Sequence, residues 1–236
     1  ASIASGAAPR ASSIQTWRKF ANASLSTLFE PPCAACKRRL HHPLDGAVCD
    51  ECWSSLRLAP RLSEHYSAEH AVSWACAVDH YEGRMKEIIH ALKYERRRSI
   101  SPRLGALMRE CGAALLRDGA IVVPVPLHRR REYERGFNQA EDLAMHLGVP
   151  VMKLLTRVRH TQSQIELPKN QRQQNVKDAF AFADPGSRIP DPGLVVLVDD
   201  VSTTGSTLEA CARVLKDAGV KEVRALTAAR VVNARH

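Results

Sequence analysis

The sequence predicts an α/β protein, a parallel sheet flanked by helices, with a small four-cysteine module ahead of it. Three observations carry that prediction. Short runs of β-formers at 121–125, 194–198 and 222–227 alternate with helical patterns of period 3.6, the signature of strands joined by crossover helices. The apolar run Val195-Val196-Leu197-Val198 leads through Asp199-Asp200-Val201 into the small hydroxyl-rich stretch Ser202-Thr203-Thr204-Gly205-Ser206-Thr207 and then into a helix. Near the N-terminus, Cys33, Cys36, Cys49 and Cys52 form two CxxC pairs twelve residues apart.

Taken in order, residues 1–30 read as a tail followed by a short amphipathic helix over 14–29, with Trp17, Phe20, Leu25 and Leu28 on its apolar side. Residues 31–60 hold the cysteines. Two CxxC knuckles separated by a short span suit one tetrahedral zinc ion with all four positions filled by thiolates, which makes the zinc structural. A redox pair or an iron–sulfur site fits this spacing less well, and His41 and His42 are expected to face solvent. Residues 61–70 read as a polar connector.

The α/β domain is expected over 71–236. It opens with a strand over 74–81 and a helix over 84–94, whose Met85, Ile88, Ile89 and Leu92 share one side. A second helix is predicted over 103–117, a buried strand over 121–125, and a third helix over 138–147. The strand at 194–198 feeds a helix over 207–218 that stops at Gly219, and a last strand covers 222–227.

Composition narrows the function. The chain has 236 residues, 34 Lys and Arg against 25 Asp and Glu, a formal net charge of +9, and 44% hydrophobic residues. The positive balance suits polyanionic ligands such as phosphorylated sugars, nucleotides or nucleic acid. Aromatic residues make up 5% and do not interleave with the basic clusters at 96–98, 129–131 and 157–159, so no base-stacking platform is evident. No apolar stretch approaches a membrane span, and no membrane insertion is expected. An odd count of seven cysteines without a secretory signal argues against a disulfide framework and for a reducing, cytoplasmic setting.

The run from 195 to 207 is a natural phosphate cradle. Backbone N–H groups of the loop and the start of a helix converge on an anion, and Thr203, Thr204, Ser206 and Thr207 add hydroxyl donors. Asp199 and Asp200 suit vicinal ribose hydroxyls, or a magnesium ion carried by a diphosphate, usually through water. The lysine and wide glycine spacing of a Walker A loop are absent. Two aspartates at a strand end would by themselves be a solvated feature of a doubly wound sheet; the ordered run is what makes the pattern specific.

The same run resembles the binding motif for phosphoribosyl diphosphate (PRPP) of type I phosphoribosyltransferases. Val123-Pro124-Val125-Pro126-Leu127-His128, Glu134-Arg135-Gly136-Phe137-Asn138-Gln139, Tyr81-Glu82-Gly83, Ala91-Leu92-Lys93-Tyr94 and the spacing Gln164…Arg172…Asn175 are similar to the ComF family, as is the cysteine cluster. The resemblance covers about residues 28–230. It implies a type I phosphoribosyltransferase-like sheet with an N-terminal zinc ribbon. Asp199 and Asp200 would lie at the ribose hydroxyls, residues Ser202 to Thr207 around the 5′-phosphate, and Pro126, Leu127 and His128 at the pyrophosphate. A polar hood loop over 157–177, with Gln164, Arg172 and Asn175, would close over the ligand. Arg135, Asn138 and Gln139 form a family signature; for Asn138, capping the following helix and contacting substrate weigh evenly.

The implied activity is displacement of pyrophosphate from PRPP by a nitrogen acceptor that the sequence does not specify, with structural zinc and with magnesium accompanying PRPP. The family association is with natural competence. It supplies a rival reading of another class, a PRPP-responsive module without turnover whose partners are single-stranded DNA or competence proteins.

Overall fold

The computed structural model describes residues 31–57, 62–117, 120–158, 178–183 and 193–231. Helix α1 spans Asp50–Arg57, α2 Gly83–Tyr94, α3 Ser101–Cys111, α4 Arg129–Arg135, α5 Gln139–Ala144 and α6 Ser206–Asp217. Strands are β1 Leu62–His65, β2 Trp74–His80, β3 Ile121–Pro124, β4 Leu155–Arg157, β5 Phe180–Phe182, β6 Leu194–Ser202 and β7 Glu222–Arg230. The main sheet has the order β1-β2-β7-β6-β3, and β4 and β5 form a separate antiparallel pair. The bonds β2–β7, β7–β6 and β6–β3 are parallel, as the alternation of strands and helices predicts.

Two departures from the sequence reading matter. The segment expected as a polar connector supplies β1, an antiparallel edge strand with Leu62 opposite Ala77 and His65 opposite Trp74. Its residues are too polar to signal a strand; cross-strand contacts such as the stacked rings of His65 and Trp74, 4.7 Å apart, favour it instead. Strand β6 runs on through Asp199 and Asp200 to Ser202, because the ladder to β7 continues with Asp199 opposite Thr227 and Ser202 opposite Arg230. Pairing overrides the poor strand preference of aspartate. The carboxylates therefore sit inside the strand and not beyond it.

Strand alternation divides the core between two faces. Val196 and Val198 of β6 pack with Met85, Ile88, Leu104, Met108 and Leu143 from α2, α3 and α5. Val195 and Leu197 pack with Leu208, Cys211, Ala212 and Leu215 of α6. The four-cysteine segment joins the first of these cores: Cys33, Cys52, Trp53 and Leu56 are buried in the same cluster. Arg103 of α3 ties it down, pairing with Asp50 at 2.7 Å and lying 5.4 Å over the Trp53 ring.

Candidate functional site

The junction of β6 and α6 assembles as a strand–loop–helix. Gly205 holds φ at +76°, a left-handed geometry that costs glycine little and other residues more, and it turns the chain directly into α6. The helix starts at Ser206, one residue ahead of the sequence reading. Within the loop, the hydroxyls of Thr204 and Ser206 lie 2.6 Å apart, and the Ser206 N–H points to Thr204 Oγ1 at 3.4 Å. Ser202 closes β6, and Thr203 and Thr207 flank the turn. The five hydroxyl residues and Gly205 are thus contiguous at the positive end of a twelve-residue helix.

The two carboxylates diverge. Adjacent strand positions point to opposite faces, and Asp199 and Asp200 obey that rule. Asp200 faces the α2 side, where Lys93 Nζ meets Asp200 Oδ1 at 2.7 Å. Both side chains are largely withdrawn from water, at 14% and 9% exposure, so this pair is well shielded. Asp199 faces the α6 side, and its Oδ1 accepts a hydrogen bond from the Asp200 N–H at 2.8 Å. Burial, then the neighbouring Asp200 charge, pushes the Asp199 carboxyl up to about 7, with Lys93 and Arg157 pulling the other way. A carboxyl raised this far beside a hydroxyl-rich loop at a helix N-terminus makes the place a candidate functional site on physical grounds.

Three further residues reach this site: Lys93 and Tyr81, which the sequence offers only as parts of motifs without a role, and Arg157, which is expected to open the hood loop and instead closes β4. Lys93 lies in the last turn of α2, where a cation also complements the helix dipole, and its role depends on a contact across 107 positions that no local pattern reveals. Tyr81 stands nearby, its phenol pushed up by burial while Lys93 draws it down. Arg157, the last residue of β4, lies 5.2 Å over the Phe180 ring, and burial and Arg131 lower its pKa while Cys211 and Asp199 raise it.

The other predicted residues occupy structural positions around the site. Pro126, Leu127 and His128 follow β3, and the His128 ring caps α4 by accepting from the Arg130 N–H at 3.3 Å. Asn138 caps α5 through Oδ1, which accepts from Ala140 N–H at 3.0 Å, and its Nδ2 donates to the Val125 carbonyl at 3.1 Å. Capping is therefore the role the geometry gives Asn138, and it anchors the loop at 126–128. Gln139 is buried; its Oε1 accepts from Arg135 at 2.8 Å, and the Arg135 guanidinium lies 5.5 Å over the Tyr94 ring. Gln164, Arg172 and Asn175 lie outside the described residues.

A cleft of about 630 Å³ reaches the hydroxyl loop from the α6 face. Tyr66, Phe180, Ser202, Thr204, Leu208 and Arg213 are among its walls. Neither Asp199 nor Asp200 lines it.

The cysteine cluster meets the requirements of a metal centre. The sulfurs of Cys33, Cys36, Cys49 and Cys52 all lie within 4.8 Å of one another. Cys36 and Cys49 are 3.8 Å apart, the edge length of a tetrahedron with Zn–S bonds of about 2.3 Å. The Cys49 N–H donates to Cys33 Sγ at 3.3 Å, which supports a thiolate there. Burial pushes the Cys49 and Cys52 thiols up. Burial opposes the Cys36 thiolate too, but the Arg38 N–H and guanidinium outweigh it and hold Cys36 at about 6. Four thiolates in such a place call for a divalent cation, and the donor set fits zinc.

Comparison with known proteins agrees with this geometry. The sequence model of the family described as Phosphoribosyl transferase domain matches residues 134–235, which include β6, the hydroxyl loop and α6. The chain is similar to Competence protein F of Haemophilus influenzae, 29% identical over 230 residues that cover 87% of this chain and 100% of that protein. It is 30% identical to DNA utilization protein YhgH of Escherichia coli K12 over 211 residues, covering 81% of this chain and 87% of that one. Competence protein ComFC of Bacillus subtilis matches a shorter stretch, 34% identical over 99 residues, 42% of this chain and 39% of its own length. With the mixed sheet, the hydroxyl loop and the four-cysteine segment already in place, these likenesses show that the chain belongs to the ComF family of phosphoribosyltransferase-like proteins.

Proposed function

We propose that the β6–α6 junction binds PRPP and that the protein transfers its phosphoribosyl group to a nitrogen acceptor, in the context of DNA uptake. One observation carries the reading: a near-neutral carboxyl and a lysine-paired carboxylate on successive strand residues, followed at once by a hydroxyl loop that a left-handed glycine turns into a helix N-terminus. The family match and the competence and DNA-utilization names of the relatives support it.

In this reading the loop N–H groups and the hydroxyls from Ser202 to Thr207 hold the 5′-phosphate, and the helix dipole adds to their attraction. Asp199 and Asp200 accept hydrogen bonds from the ribose hydroxyls and favour the positive charge that develops on the ring as the diphosphate departs. Lys93, held by Asp200, brings a cation to the same strand end, and His128 with Arg129 to Arg131, at the start of α4, would face the departing diphosphate. Magnesium, when bound with PRPP, neutralises diphosphate charge. Lys93 engages Asp200 Oδ1, and Asp199 and Asp200 are the carboxylates that would attract that ion. In the four-cysteine segment, Cys33, Cys36, Cys49 and Cys52 would hold a zinc ion, which would supply structure to the two knuckles and no chemistry to the reaction. No helix of the described residues is long and apolar enough to cross a membrane.

Titration calorimetry with PRPP and magnesium, followed by a pyrophosphate-release assay across nucleobases, tests the proposal. Binding with base-dependent release is the expected result. Binding without release would replace transfer by ligand sensing, with single-stranded DNA and competence proteins as the next partners to assay. No binding would overturn the site itself.

A further inference from the structure

We propose that Cys76 and Cys111 form a reversible disulfide that staples β2 to the end of α3. Their sulfurs lie 2.6 Å apart. That is closer than the optimum of about 3.5 Å for unbonded heavy atoms and a short movement from the bond length of about 2.0 Å. The approach is built into the packing. Cys111 is the last residue of α3, and the next residue is Gly112. A Cβ on Gly112 would stand 2.7 Å from Leu226 Cδ2, so only glycine lets the helix end sink onto the sheet at this point. Leu226 is in turn the β7 residue paired with Cys76. The contact that seats α3 on the sheet thus also aligns the two thiols.

The chemistry is thiol–disulfide exchange with a small-molecule disulfide. Cys111 is partly exposed and Cys76 is 4% exposed, so the attacking thiolate is Cys111. It attacks one sulfur of glutathione disulfide, forms a mixed disulfide and expels one glutathione thiolate. Cys76 then attacks Cys111 Sγ and expels the second. The two protons lost by the cysteines go to the two departing thiolates, and the pair is oxidised as glutathione disulfide is reduced. Cys211 does not compete, since it is fully buried on the opposite face of the sheet. The staple also fixes the support of the four-cysteine segment, because α3 carries Arg103 to Asp50 and Trp53.

The full zinc-loaded chain is equilibrated over a series of glutathione to glutathione-disulfide ratios, alkylated under denaturing conditions and mapped by mass spectrometry. The expected product has lost two hydrogens, contains a linked peptide bearing Cys76 and Cys111, keeps its zinc, and melts several degrees higher in a way that dithiothreitol reverses. Cys111→Ser abolishes both the linkage and the shift. Alkylation of both thiols at every ratio, a glutathione adduct on Cys111 that never resolves, or linkage only among Cys33, Cys36, Cys49 and Cys52 would each overturn the proposal. The mapping is made on the unaltered chain, so it decides the matter even if the variant fails to fold.

Discussion

The four sulfurs at Cys33, Cys36, Cys49 and Cys52 come from one short stretch of chain, whereas the groups gathered around Asp199 and Asp200 come from α2, β4 and β6. Local spacing dictates the first arrangement, since two knuckles reaching one ion leave little freedom in the positions of their cysteines. Tertiary packing dictates the second. Its hydroxyl loop is contiguous and readable, but the lysine that pairs Asp200 and the arginine near Asp199 arrive only when the helices and the β4–β5 pair settle on the sheet. A site held by one local constraint should fail all at once, and a site assembled from several elements should fail by degrees.

The largest expected effect therefore belongs to the cysteines. Cys33→Ser removes one of four ligands, and the apparent binding energy of a structural zinc is about 10–16 kcal/mol at neutral pH. We expect loss of the metal, read by elemental mass spectrometry, and a lowered melting temperature with most of the far-UV signal of the sheet retained. Full zinc retention would defeat the four-ligand reading. At the other site, Asp199→Asn together with Asp200→Asn should weaken PRPP at least 100-fold by calorimetry, since hydrogen bonds to charged groups contribute about 1.5–3 kcal/mol each. Unchanged affinity in the folded double variant would remove both carboxylates from the site.

The same contrast explains what the sequence made legible. The parallel strands, the helices on both faces and the contiguous loop follow from periodicity and turn chemistry, which are local. Three features do not. Strand β1 is made of Leu62-Ser63-Glu64-His65, whose strand character depends on its partner Trp74-Ala75-Cys76-Ala77. The strand beneath the carboxylates is longer than its apolar run, because the β7 ladder continues past Val198. The placement of Asp199 and Asp200 on opposite faces follows only once both are known to lie within the strand; read as a loop pair, they look like neighbours in one environment. The Asn138 side chain was legible as a cap, and the bond to Val125 that anchors the preceding loop was not.

Lys93 tests whether the assembled site degrades by steps. Lys93→Met leaves Asp200 without its cation at 9% side-chain exposure, a loss of about 1–3 kcal/mol, because some solvent still reaches the pair. We expect PRPP affinity to fall about tenfold, less than in the aspartate double variant. The pH at which binding changes should also move upward, because Lys93 is one of the charges that hold Asp199 down. Lys93→Arg should restore much of both. A fall in melting temperature with no movement of the pH profile would reduce Lys93 to a packing residue.

The smallest effect is one of stability, and it isolates Asp199. Its carboxyl titrates at about 7 in the folded protein, above the unfolded value of about 3.9. Between those values the folded state keeps a proton that the unfolded state has released, so stability from this group is full below about pH 4, declines as the pH rises towards 7, and stays at its lower level above. Burial sets most of the loss, the charge of Asp200 adds to it, and Lys93 and Arg157 reduce it. In Asp199→Asn this contribution to the slope disappears while those of all other groups remain. The difference in melting temperature between variant and parent, followed from pH 5 to pH 8, should therefore shift in favour of the variant by a few degrees as the pH rises. The same variant should bind PRPP less well. A site that makes the apo fold less stable at neutral pH while serving the ligand is the expected signature of a charge kept for function, whereas parallel pH curves would mean that Asp199 carries its charge at no cost and that its carboxyl is not raised in the folded protein.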